Sequence, residues 1–231
     1  MSLKNNDPSN IVKIDFLNVI SKSFWLFFDN MGLFLVASFF WVLLSFPLVT
    51  CPAATASIIF LADELSFGKE MHIKDFFRAF KKYFLRSTGG AIFMAVIIAL
   101  SALGLIFYSS RLGLTGRIIA IIMGVVIILS NIGLVYIFPL AFRIRKPLKV
   151  VKSALTLSVC HPVFTFGIFL YVGTLFVLGL VSGLGIIFVT PGLSAAAISS
   201  AMRELSYKYG FSDSPKKENK TLKGTFMPWT E

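Results

Sequence analysis

The stretch Val49-Thr50-Cys51-Pro52-Ala53-Ala54-Thr55-Ala56-Ser57-Ile58, closed by Glu64-Leu65-Ser66-Phe67, recurs 140 residues later. The second copy reads Val189-Thr190-Pro191-Gly192-Leu193-Ser194-Ala195-Ala196-Ala197-Ile198 and closes in Glu204-Leu205-Ser206-Tyr207. Each copy follows a long apolar run, turns at Thr and Pro, and restarts as a helix of small residues that ends in charge. Proline suits the first turn of a helix, and small side chains let helix backbones approach closely in lipid. This is the pattern of a helical hairpin inside a membrane.

The rest of the chain agrees. Of 231 residues, 56% are hydrophobic and only 14% charged, which excludes an ordinary soluble domain. Charge-free runs cover 31–62, 87–110, 118–142 and 162–202. Each exceeds the roughly 20 residues that cross a ~30 Å hydrocarbon core. The fold class is therefore all-α, a polytopic membrane helical bundle. The net charge of +11 is read as topology and attraction to anionic headgroups, not as a nucleic-acid footprint. Asn5, Asn6, Asp7 and Pro8 give the start no signal-peptide pattern, so insertion is expected to use the first span.

In chain order, 11–28 reads as an amphipathic interfacial helix with Ile14, Leu17, Phe24 and Phe28 on one face and Trp25 at headgroup level. Asp29-Asn30 is expected to cap the first span, which runs to Thr50. The run 31–62 would be about 48 Å as one helix, and Pro47 and Pro52 break it. A second amphipathic segment, 69–88, gathers Phe76, Phe77, Phe80, Tyr83 and Phe84 on one face, with Lys and Arg opposite. A span to Ser110, an outer loop Arg111–Arg117 and a span to Phe142 follow. The basic segment 143–161 leads into a fifth span, where Gly179 and Gly183 have the GxxxG spacing of close helix contacts.

Topology follows from the basic residues. If both short helices after Thr50 and Thr190 cross, 20 basic residues share one side and only Arg111 and Arg117 the other. If each short helix stays on the far side instead, the count is 11 against 11, with no bias. The positive-inside rule selects about six membrane helices with both termini cytoplasmic. Residues 1–210 then form one membrane-embedded domain, with hairpin repeats around 11–68 and 147–209 and a central hairpin at 69–142. Residues 211–231 are Lys-, Ser- and Pro-rich and are expected to be a disordered cytoplasmic tail. The interfacial-helix-then-span unit recurs at 11–50, 69–110 and 147–190, and the outer two read as a parallel duplication.

Several polar residues are candidates for function or packing. Asn131 lies near mid-span, where an interhelical hydrogen bond is the commoner role and substrate contact the sharper one. Thr50 and Thr190, with Pro52 and Pro191, are expected to cap the short helices. A ligand-facing pair of helix N-termini is the alternative. Glu64 and Glu204 hold matching repeat positions, as solvated helix ends, as partners for a nearby Lys or Arg, or as a docking point for a soluble partner. Cys51 and Cys160 make no disulfide framework, and His72 and His161 have no metal partners in their spacing. No Walker A, HExxH or GxSxG motif appears, and no charge lies deep in a span. No enzyme, cofactor or metal site is expected.

Phe46-Pro47-Leu48-Val49-Thr50, then Ala54-Thr55-Ala56, then Asp75-Phe76-Phe77 with Phe80-Lys81 resemble the YesL-like family of bacterial integral membrane proteins. The hydropathy order matches over roughly residues 10–210. The family usually places Gly-Pro after Thr-Ile, whereas Cys51-Pro52-Ala53 puts the proline one residue earlier. The resemblance implies the bacterial cytoplasmic membrane and a carbohydrate-uptake context, with no established activity. With the basic interfacial helices and the absence of coupling residues it gives the expectation of a non-catalytic accessory or scaffold component, and the repeated broken hairpins motivate the alternative, a small solute permease. Anionic lipid, transporter subunits and self-association are the partner classes.

Overall fold

The apolar runs become helices whose ends have identifiable causes. A computed structural model of the chain describes residues 16–109, 113–144, 147–160, 162–183, 185 and 188–208. Among them every regular element is α-helical. The helices are α1 (Phe16–Asp29), α2 (Met31–Ser45), α3 (Cys51–Ser66), α4 (Ile73–Ser109), α5 (Leu114–Ala141), α6 (Pro147–Cys160), α7 (Pro162–Ser182) and α8 (Thr190–Lys208). The expected tail at 211–231 lies outside the described residues.

Pro52 opens α3 in its first turn, where a missing N–H costs nothing. Gly68 stops it with φ +75. The amide of Gly68 reaches Leu65 O at 2.8 Å and that of Lys69 reaches Glu64 O at 3.3 Å. That is the Schellman pattern, which satisfies the last carbonyls and requires a left-handed residue that glycine adopts without strain. At the start of α4, Asp75 Oδ2 accepts the His72 amide at 3.1 Å, so a carboxylate meets the positive end of the helix.

The small-residue helices occupy the middle of the bundle. Ala53, Ala54, Ala56 and Ser57 of α3 are buried, as are Leu193 to Ala201 of α8. Helices α1, α2, α5 and α7 all pack against α8, and α3 lies beside it. In lipid there is little hydrophobic gain from pairing helices, so close packing and hydrogen bonds must hold them. Gly192 shows how close the approach is. A Cβ there would stand 2.9 Å from Phe27 Cε2, 3.1 Å from Phe34 Cβ and 3.2 Å from Ser38 Oγ. Between helices, Trp41 Nε1 donates to Thr55 Oγ1 at 3.0 Å and Tyr136 pairs with Thr165 at 2.8 Å. Each such bond contributes about 0.6–2 kcal/mol in a membrane bundle.

Membrane crossing is supported at the level of three helices, α4, α5 and α7, which are long and apolar enough to span. The pair α1 and α2 counts as a fourth if taken together, but it is bent by 94°. At 16 and 19 residues, α3 and α8 do not belong to that set.

Local expectations change in four places. First, α1 buries a stripe other than the expected apolar face. Val19, Ser23 and Phe27 are buried in the bundle, while Phe24 and Phe28 stay outward with their rings 4.4 Å apart. The reason is spacing: i, i+4 and i+8 make one helical stripe, and the tightly packed α8 surface takes it. Ile14 lies outside the described residues. Second, the amphipathic segment at 69–88 and the following span are one continuous helix, α4, of 37 residues. Its buried stripe is Phe76, Ala79, Tyr83 and Ser87. Phe77, Lys81, Lys82 and Leu85 face outward. Third, Gly183 does not serve a GxxxG contact. It ends α7 at φ +65 with open space around it, and only Gly179 is buried. Fourth, the indole N–H of Trp25 is shielded and meets no acceptor among the described residues.

Candidate functional site: a charged junction at one end of the bundle

Asp63 lies in the last turn of α3 with a side chain only 9% exposed. A buried carboxylate loses several kcal/mol of hydration unless charge and hydrogen bonds replace it. Arg143, two residues beyond α5, supplies the charge, its Nη2 standing 3.3 Å from both carboxylate oxygens. Ser199 of α8 adds a hydroxyl donor at 3.4 Å. One turn further, Arg203 donates to the Ser66 carbonyl and lies 4.8 Å over the Phe67 ring. Asp63 is thus the centre of a junction joining α3, the end of α5, and α8.

Aromatic rings wall the junction off. Phe60, Tyr83 and Phe142 form a triangle with centroid separations of 5.5, 5.7 and 6.1 Å. The Arg143 guanidinium sits 5.7 Å from the Phe142 centroid. Low polarity on that side strengthens the ion pair and raises the cost of breaking it.

Two further pairs flank the centre. Glu64 accepts from Lys69, and Glu204 accepts from Lys22 of α1 at 2.5 Å. The lysines are 63% and 52% exposed, so each pair contributes little by itself. The Glu64 carboxylate holds the Lys69 ammonium above the usual lysine pKa. What the pairs do is geometric: they bring segments near 22, 63–69, 143 and 203–204 to one end of the molecule. Chemically the arrangement is a structural clamp. No metal-binding group of His, Cys, Asp or Glu forms among the described residues.

The sequence-predicted positions divide. Glu64 and Glu204 come to the same end, each paired with a lysine, instead of standing as solvated helix ends. Thr50 and Thr190 do not cap the helices that follow. Thr50 donates to the carbonyls of Leu44 and Pro47, and Thr190 to Gly185 at 3.0 Å and Leu175 at 3.4 Å. For Thr50 the reason is its backbone, φ −90 and ψ −16, because a side-chain N-cap needs the extended region. Asn30 repeats the behaviour, with its Nδ2 on Leu26 O at 3.2 Å and no cap bond to α2. At the starts of α2 and α3 the polar side chain thus seals the helix that has ended. Pro52 and Pro191 occupy the first turns of α3 and α8. Asn131 stands apart on α5 and donates to Ile127 O at 2.9 Å, one turn back on its own helix. His161 lies outside the described residues.

Asp63, Arg143 and Arg203 were not singled out by the sequence. A signal was present, because the repeat alignment that matches Glu64 to Glu204 also sets Asp63 against Arg203. Opposite charges at equivalent positions of two packed helices are a contact signal.

The chain matches no protein-family model, and no curated protein or solved structure matches it.

Proposed function

We propose that this is a non-catalytic accessory or scaffold component of the bacterial cytoplasmic membrane, associated with carbohydrate uptake, with both termini cytoplasmic. One observation carries the preference for a scaffold over a permease. The bundle centre is filled by α3 and α8, and the polar side chains best placed to line a path are turned back onto their own helices. Ser57 donates to Ala53 O, Ser194 to Thr190 O, Thr55 to Cys51 O and Asn131 to Ile127 O. Residues that would line a polar path are spent on backbone carbonyls.

The junction supports the topology. Segments from four parts of the chain meet at the basic end, while Arg117 lies near the opposite end of α5, a helix about 42 Å long. The duplication of the outer hairpins rests on the sequence repeat, and both Thr50 and Thr190 donate backwards to carbonyls, though to differently placed ones. The carbohydrate context rests on the YesL-like resemblance alone. The partner classes are transporter subunits or a second copy, with anionic headgroups around the basic end.

Purification of the tagged full chain in mild detergent tests the reading, with mass spectrometry of what accompanies it. Sugar-transport subunits in stoichiometric amount are expected. Solute uptake by proteoliposomes containing this chain alone, with no co-purifying subunit, overturns it in favour of the permease.

A further inference from the structure

We propose that the outer face of α2 is a docking surface for a partner protein, one that offers an amphipathic helix with acidic residues along one border. The surface stands outside the lipid, on the basic side. The proposal rests on the membrane and scaffold reading above and names the chemistry of the partner.

Helix α4 serves as the ruler. Its last charge is Arg86, and the 23 residues 87–109 carry none. At 1.5 Å per residue they reach about 34 Å, which fills a ~30 Å hydrocarbon core. They turn Ile92, Val96, Leu100, Leu103 and Ile106 outward, as a lipid-facing stretch does. The near edge of the core therefore lies at about Thr88. Thr88 Oγ1 donates to the Val49 carbonyl at 3.4 Å, so the α2–α3 turn stands at that edge.

From the turn, α2 leads away from the core. The Phe40 ring lies 4.9 Å from the Phe77 ring of α4, and the Phe39 ring lies 5.8 Å from that of Phe40. Phe77 precedes Thr88 by 11 residues, about 16 Å along the helix, and a 40° tilt still leaves about 12 Å. Side chains lean towards the N-terminus of their helix, so the Phe77 ring is no nearer the core. The headgroup layer is only about 5–8 Å deep on each side. Phe39, Phe40 and Phe77 are beyond it.

The face is apolar and continuous. Val36, Phe39, Leu43 and Phe46 follow at i, i+3, i+7 and i+10, one helical stripe, and all four are exposed. Phe77, 40% exposed, extends it onto α4. A large apolar stripe in water with a polar rim marks a protein contact. The rim says what covers it. Lys74 and Lys81 flank Phe77 at i−3 and i+4, on the same side of α4, and both are exposed. Neither joins an ion pair among the described residues, whereas Arg78 is held by Asp75 at 2.7 Å. A second copy of this chain is a poor occupant. Its net charge is +11, and its Asp63, Glu64, Asp75 and Glu204 are already paired within the fold. The partner must bring the carboxylates.

The test uses the full chain in its native membranes. A photoactivatable benzoyl-phenylalanine replaces Phe39, Leu43 or, as the lipid-facing control, Ile106; all three are exposed, so packing is kept. Cross-linked residues are mapped by mass spectrometry, with and without Lys74→Glu and Lys81→Glu. We expect positions 39 and 43 to join one protein segment, apolar on one face and acidic along its border, and 106 to join lipid. The double charge reversal should lower that protein cross-link at least tenfold. Lipid adducts alone at 39 and 43, or no adduct there, overturn the docking surface. So does a cross-link to a second copy, to a segment without acidic residues, or in a yield unmoved by the charge reversal. In each of those cases lipid at 106 leaves the membrane reading standing. Lipid at none of the three positions, with release of the chain by carbonate, overturns the membrane reading and the proposal together. A partner of the expected chemistry that serves no uptake system keeps the surface and removes the carbohydrate context.

Discussion

Arg143 holds both carboxylate oxygens of Asp63 with a single nitrogen, at 3.3 Å each, across 80 residues of sequence. This pair fixes where the chain returns after the α4–α5 hairpin. It ties the segment after α5 to the end of α3, and Ser199 ties α8 to the same carboxylate. The loops at this end are basic, so an acidic centre also keeps the helix ends from repelling one another.

Removing one partner should cost more than removing both. Asp63→Leu leaves the Arg143 guanidinium facing an aromatic wall, and we expect a loss of about 1–3 kcal/mol. That lies below the 3–5 kcal/mol of fully buried pairs because Arg143 is 29% exposed. The double change Asp63→Leu with Arg143→Leu should recover part of the loss. Thermal unfolding in detergent measures both, and a double variant less stable than either single one would refute the clamp.

Glycine should matter at 192 and not at 124. A methyl at 192 meets side chains from both α1 and α2, with Phe27 Cε2 at 2.9 Å, Phe34 Cβ at 3.1 Å and Ser38 Oγ at 3.2 Å. Overpacking of that kind costs about 1–3 kcal/mol. At Gly124 nothing lies within 4 Å, so Gly124→Ala should be neutral or slightly stabilising by helix propensity. Equal melting temperatures for the two alanine variants would remove the close approach of α8 to α1 and α2.

Thr50→Val keeps the shape and removes the hydroxyl. The Leu44 carbonyl then loses this donor, while that of Pro47 keeps the Thr50 amide at 2.9 Å, so the loss should be about 0.5–1.5 kcal/mol. Thr50→Ser should retain most of the stability because it keeps the donor. If the role were instead to cap α3, the loss would appear in amide exchange at Ala53 and Ala54. The backward bonds place it at the end of α2, and hydrogen exchange read segment by segment separates the two.

The hairpin grammar was legible because it is local. A proline in the first turn, a glycine past the last and a run of small residues each act through their own backbone, and all appear where the sequence put them. The burial of Ala53, Ala56, Ala195 and Ala196 was legible for the same reason. Which face of α1 would be buried was not. Both Phe24/Phe28 and Val19/Phe27 make apolar stripes, and only the partner surface on α8 selects between them. Asp63 was hidden by its neighbour Glu64, since two adjacent carboxylates at a helix end read as one solvated terminus. The distance across the membrane was least legible. Charge counting is blind to a hairpin that goes in and comes back, since it leaves the same basic residues on each side as one that stays put.

The duplicated small-residue helices provide a last prediction. Ala56 and Ala196 occupy equivalent repeat positions, and both are fully buried. In lipid a larger apolar side chain gains no transfer energy by leaving its helix contact, so the balance is decided by fit alone. Leucine at either position adds three carbons where the neighbours are helix faces. We expect Ala56→Leu and Ala196→Leu each to lower stability by about 1–3 kcal/mol. Leucine has nearly the helix propensity of alanine, so a loss cannot be assigned to helix formation. Ala→Ser at the same sites is the control. It is nearly isosteric, and its hydroxyl can bond one turn back, as Ser57 and Ser194 already do. Serine variants that unfold like the wild type beside leucine variants that unfold earlier would locate α3 and α8 in the packed centre. Leucine variants of unchanged stability at both positions would show that these helices have room around them, and the case for a filled bundle over a solute path would go with it.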